Sequence, residues 1–160
     1  YSGDLLKNIV VFKLEGESEI DRQKDLLSKY ATSGFNNWDM WVEEAVDGNI
    51  DPSFLMCIGL AESGLWRNLK TSYNVWNIGN TDSGWTWEFP NARSWVYRMT
   101  KTLNNQFLWD YKEMSKLSRY GNKTGSIYAS SPVNWHNNMI KCLQALKAEH
   151  IPDNFNFRIE

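Results

Sequence analysis

The sequence predicts a mainly α domain of the α+β kind, a helical body interrupted by one small β-hairpin lobe. Three observations carry this. Apolar residues recur at helical spacing in five segments; Asp51-Pro52 and Ser131-Pro132 are helix-start signals; and in the polar, glycine-bearing stretch 73–90 the spacing changes to alternation. With 160 residues the chain suits one domain with a core of its own, not two.

Residues 1–18 read as an N-terminal extension in which Ile9-Val10-Val11-Phe12 is a short strand-like or packed run, and 19–160 as one domain. Residues 19–31 and 37–47 follow as helices, the second with Trp38, Trp41, Val42 and Ala45 on one apolar face. Asp51 is placed to cap the third helix, and Pro52 is pre-set for its first position. This helix runs through Phe54, Leu55, Met56, Cys57, Ile58, Gly59, Leu60, Ala61 and Glu62, and Gly64 should end it. Glycine at position 59 costs helix stability and points to close packing against a neighbour. The alternation of Trp85, Trp87 and Phe89 after the turn signal Asp82-Ser83-Gly84 predicts the hairpin lobe. From about Asn91, Val96, Met99, Leu103, Phe107, Tyr111 and Met114 fit one helix of five turns. A loop at 121–125 precedes a last helix whose inner face is Trp135, Met139, Cys142, Leu143 and Leu146.

Composition excludes some functions. Net charge is −2, with acidic residues outnumbering basic ones, and no basic stripe exists to neutralise phosphates, so nucleic acid is not the expected partner. No apolar run approaches the roughly 20 residues that span a bilayer, so membrane insertion is not expected. The opening Tyr1-Ser2-Gly3-Asp4 shows no signal-peptide pattern, and a trimmed or excised domain reads the same way. Cys57 and Cys142 sit among apolar residues on helical segments, which favours buried free thiols; a disulfide is the alternative and needs geometry beyond the sequence. Their spacing makes no zinc pattern, and His136 and His150 add none. Nine tryptophans are many for this length, and Trp66, Trp76, Trp85 and Trp87 crowd into 22 residues of otherwise polar chain. Aromatic faces beside amides and carboxylates are what a sugar groove needs.

Glu62 is the residue that asks for an explanation. It lies four residues after Ile58 and seven after Leu55, so it shares their inward face. A carboxylate there is costly unless paired or protonated, and the negative end of the helix dipole disfavours its charge further. Both effects raise its pKa, the condition under which a glycosidase acid protonates a leaving oxygen near neutral pH. A structural glutamate bonded to a neighbouring helix terminus is the alternative, and position alone leaves the two level.

Three segments add to this. Ala61-Glu62-Ser63-Gly64 resembles the Glu-Ser segment of lytic transglycosylases and goose-type lysozymes. Tyr73-Asn74-Val75-Trp76-Asn77-Ile78-Gly79-Asn80 resembles the Asn-Leu-Phe-(Gly/Asn)-Ile-Gly segment of bacterial endo-β-N-acetylglucosaminidases of the flagellar and autolysin type. Tyr128-Ala129-Ser130-Ser131-Pro132 resembles the Tyr-Ala-Thr-Asp-Pro segment of the same group. The segments occur in the order they have in that lysozyme-like superfamily and span 51 to about 147. The resemblance implies Glu62 as general acid, Tyr128 as a groove tyrosine at the reaction centre, and Asn77 and Gly79 as part of the loop that frames the sugar subsites. Ser63, Asn74, Trp76 and Trp85 join them as candidate substrate contacts. A packing tyrosine is the plainer reading of Tyr128, and a turn residue that of Asn77.

Two departures stand out. Ser131 replaces the family's aspartate, a conservative change at a helix cap. No second carboxylate is marked; Asp82 and Glu88, in the β lobe, are its candidates, each with an ordinary surface role as alternative. Without either, the substrate's own N-acetyl or 6-hydroxyl group completes the reaction, the latter giving transglycosylation. The resemblance therefore implies an extracytoplasmic or virion-associated enzyme, without cofactor or metal, that cuts the β-1,4 bonds between N-acetylglucosamine and N-acetylmuramic acid. Hydrolysis is favoured by the second and third segments, lytic transglycosylation stays open, and a catalytically idle glycan-binding or structural domain of a larger secreted or virion protein is the competing class.

Overall fold

The computed structural model describes residues 14–31, 34–63, 91–123, 125–129 and 132–159, with Glu62, Ser63 and Pro132 described by their backbone alone. The described part is mainly helical: α1 (Glu19–Tyr30), α2 (Trp38–Asp47), α3 (Pro52–Ser63), α4 (Ala92–Leu103), a 3-10 turn (Met114–Leu117) and α5 (Pro132–Lys147). Among the described residues there are only isolated β-bridges, pairing Ile50 with Arg158, Glu113 with Asn156 and Ser118 with Ala129. The expected hairpin lobe at 73–90 and most of the 1–18 extension lie outside the described residues.

The helices α1 to α4 start where a short polar side chain captures amide groups that have no partner inside the helix. Ser18 accepts from Asp21 N, Asn37 from Met40 N and Asn91 from Ser94 N. Asp51 caps α3 as expected, its Oδ1 accepting from Ser53 N at 2.8 Å. The third helix is the centre of the molecule. Every residue from Ser53 to Ala61 is buried, so it has no solvent face, as befits a helix apolar all round. It packs against α5 and α2; α4 lies on α2, and α1 touches α2 and α5.

Cys57 and Cys142 form a disulfide between α3 and α5, with Cα atoms 5.8 Å apart. This corrects the expectation of two free thiols. Buried apolar surroundings suit a thiol and a cystine equally, and only the helix pairing brings the two positions within bridging distance.

The helix after Asn91 is shorter than its pattern predicts. It ends at Leu103 because two asparagines offer the backbone better partners than another helical turn does. Asn105 Oδ1 accepts from Phe107 N at 2.8 Å and Leu108 N at 2.9 Å, and Asn104 Nδ2 donates to Gly48 O at 2.8 Å. Buried Arg158 holds the break from inside. Its guanidinium donates to the carbonyls of Tyr111, Leu103 and Leu108 at 2.9, 3.0 and 3.1 Å, and to Asn104 Oδ1. Phe107 is therefore exposed rather than inward, while Met114 reaches the core from the 3-10 turn.

The C-terminal segment completes the core. It threads between two backbones, with Asp51 N donating to Phe157 O at 2.9 Å and Phe157 N to Lys112 O at 3.0 Å. Phe157 stacks on Phe54 with ring centroids 4.7 Å apart. At the start of α3 a polar chain ties four helices together. Trp38 Nε1 donates to Gln23, Gln23 to Ser53, and Ser53 to Glu19, at 2.8, 2.7 and 2.6 Å. Lys147 then bridges Glu19 at 2.9 Å and Asp51 at 2.8 Å.

Candidate active site

The relation of α3 to α5 decides which residues share an end of the molecule. Lys147 meets Asp51, and Cys142 meets Cys57, so position numbers rise along α3 as they fall along α5: the helices are antiparallel. Glu62 is five residues beyond Cys57, about 7.5 Å further along the axis. Its backbone thus lies at the level of the first turns of α5, where Trp135 and His136 stand, and at the far end from the Lys147 cluster. Its place in the last turn of α3 matches the sequence expectation. The facial part of that expectation does not discriminate, because all sides of α3 up to Ala61 are buried.

Tyr128 belongs to the same end. Its ring lies 6.0 Å from that of Trp135, tilted by 53°. The backbone fixes it, since Tyr128 N and Ala129 N both donate to Leu117 O, at 2.6 and 2.9 Å. Tyr128 is half-buried, a packing residue of the core's edge that retains an accessible part. Trp95 is buried, and so is Trp135, on the inner face its spacing predicts.

Ser63 closes α3 and is described by backbone only. Asp82 and Glu88, the candidates for a second carboxylate, lie outside the described residues, as do Asn74, Trp76, Asn77, Gly79 and Trp85. Among the described residues no group of three or more His, Cys, Asp or Glu could hold a metal ion, and no helix is long and apolar enough to cross a membrane.

The sequence did not single out His136. It is fully buried, with its ring stacked on Tyr120 at 4.5 Å and its Nε2 lying 3.2 Å from Asp153 Oδ1. An ionised carboxylate can only accept, so Nε2 carries the proton there, and Nδ1 is the acceptor whenever the ring is neutral. Among the described residues Nδ1 has no hydrogen-bond partner. The one available signal was a histidine inside an otherwise apolar helical face beside Trp135, which reads equally well as core.

Comparison with protein-family models, curated proteins and solved structures gives no match for this chain.

Proposed function

We propose that this chain is a lysozyme-like glycosidase that cuts the β-1,4-linked glycan of bacterial peptidoglycan, with Glu62 giving a proton to the leaving oxygen. The observation that supports it most is the setting of α3. A helix buried on every side from Ser53 to Ala61 carries a glutamate in its last turn, at the end of the α3–α5 pair where a half-buried tyrosine and a tryptophan meet. On this reading Glu62 holds a proton at the start of the reaction, as a general acid must. The cystine supports an oxidising, extracytoplasmic or virion-exposed setting, since such bonds persist outside the reducing cytosol.

Turnover of purified sacculi by wild type and Glu62→Gln tests the reading. The amide keeps the shape but cannot supply the proton, so activity should fall by about 10²- to 10⁴-fold, with melting temperature unchanged. Residual activity within tenfold of wild type would remove Glu62 from the role. Mass spectrometry of the products separates the two chemistries: reducing ends mark hydrolysis, and anhydro-muramoyl ends mark transglycosylation.

A further inference from the structure

The loop that leads from the 3-10 turn to Tyr128 is bonded to itself at several points. At its neck Tyr128 N and Ala129 N donate to Leu117 O, and Ser118 pairs with Ala129. Within it Asn122 Nδ2 donates to Lys116 O at 2.9 Å and Ser126 O at 2.7 Å, while Asn122 Oδ1 accepts from Gly125 N at 2.9 Å. Ser118 Oγ accepts from Tyr120 N at 3.2 Å. A loop tied in this way shifts as a piece, so a hold on one end is felt at the other.

Two neighbouring residues of α5 hold its ends. Trp135 meets Tyr128 with ring centroids 6.0 Å apart, and the His136 ring lies on Tyr120 at 4.5 Å, 8° from parallel. Consecutive side chains leave a helix about 100° apart, so the two contacts are separate supports. Ring faces make both of them. Trp135 Nε1 and His136 Nδ1 have no hydrogen-bond partner among the described residues, and the bond from His136 Nε2 leads away to Asp153 in the C-terminal segment. His136 is fully buried and Tyr120 is 45% exposed, so the imidazole is the fixed member of the stack and Tyr120 the one it holds.

We propose that His136 is a positioning residue for the proposed reaction: through Tyr120 it seats the loop that holds Tyr128 at the Glu62 end of α3. The role of Tyr128 in this rests on the glycosidase reading; the seating of the loop does not. With Tyr120 released, the neck of the loop can shift over α5 and carry Tyr128 with it, and a displacement of about 1 Å at a reaction centre can cost roughly 10²-fold in rate.

Site-resolved amide exchange and cleavage of sacculi, measured on the same variants, test it. His136→Ala takes the ring out of the core, and Tyr120→Ala removes the other half of the stack from a part-exposed position that leaves less of a cavity. His136→Phe and Tyr120→Phe keep both ring faces. Expected in the two alanine variants are faster exchange at the Tyr128 and Ala129 amides and a kcat lowered by about tenfold or more, with KM little changed and the amides of α3 still protected. The two phenylalanine variants should return exchange and kcat to the wild-type level. Unchanged exchange at Tyr128 and Ala129 in Tyr120→Ala would overturn the proposal, and so would exchange that rises across α3 as well, the mark of a general loss of stability. His136→Phe behaving like His136→Ala would assign the role to the bond with Asp153 and overturn the stack. Faster local exchange with unchanged kcat, in a protein whose cleavage depends on Glu62, would overturn the link to the reaction and leave the enzyme standing. A wild type that cleaves nothing, with exchange still following the stack, would remove the glycosidase reading and support the seating of the loop.

Discussion

Opening the Cys57–Cys142 bridge is the perturbation whose size the structure fixes best. The two half-cystines are 85 residues apart, so the bond removes from the unfolded chain the freedom of a loop of that length. The chain-entropy relation gives about 4.6 kcal/mol for such a loop at 25 °C. In a domain of this size that corresponds to a fall in melting temperature of roughly 9–18 °C. Both sulfurs are buried, Cys57 at 1% and Cys142 at 4% exposure, so replacement by alanine adds a cavity cost that reduction does not. Urea unfolding of oxidised and reduced wild type, followed by circular dichroism, isolates the loop contribution. Cys57→Ala with Cys142→Ala then gives the cavity increment by difference. A loss on reduction below about 1 kcal/mol would refute the loop argument, because the unfolded chain would already be restricted without the bond. Two thiols titrating in the unreduced, denatured protein would refute the bridge itself.

Three further outcomes are expected. In the cluster of Lys147, Glu19 and Asp51, burial works against the charge of Glu19, but bonds from Ser53 and Lys147 outweigh it and hold its pKa below the ordinary 4.5. Burial likewise opposes the Lys147 ammonium, and bonds to Asp51 and Glu19 outweigh it, raising its pKa above the ordinary 10.5. The Glu19 contribution is complete above its ordinary pKa and lost as pH falls through the lowered one; that of Lys147 is complete below its ordinary pKa and lost as pH rises through the raised one. Lys147→Met should therefore cost about 2 kcal/mol between roughly pH 5 and 10, discounted for the part-exposed Glu19, and less on either side. Equal losses at pH 3 and pH 7 in chemical denaturation would remove the ion cluster as the cause. Arg158→Lys should cost about 2–3 kcal/mol, because a single ammonium cannot serve three carbonyls and an amide oxygen spread around a planar fork; faster amide exchange at Leu108 and Tyr111 is the reading that confirms it, and unchanged exchange counts against it. Trp95→Ala should cost about 3–5 kcal/mol from its fully buried position, whereas Trp109→Ala should change stability by less than about 0.5 kcal/mol; equal thermal losses would mean that Trp109 is not the surface residue described.

Local chemistry was legible in the chain itself. Asp51-Pro52 announced the start of α3, Asn91 the start of α4, and the spacing from Trp135 to Leu146 the buried face of α5, because caps and periodicity act over one or two turns. The position of Glu62 in the last turn of α3 followed from the same signals. Periodicity misled at Phe107, where helical spacing continues but Asn105 captures the amides of Phe107 and Leu108 and Asn104 bonds Gly48 and Arg158, each more than 50 residues away. Non-local decisions needed the fold. That Cys57 faces Cys142 depends on the antiparallel packing of α3 on α5, and that Lys147 lies between Glu19 and Asp51 depends on three helix ends converging. The C-terminal segment shows the difference most plainly. Phe155 to Arg158 carry no helical or strand-like signature of their own, yet they fill the core beside Phe54 and hold the turn that presents Phe107 and Trp109. Their partners come from distant parts of the chain, and only the packed structure brings those partners together.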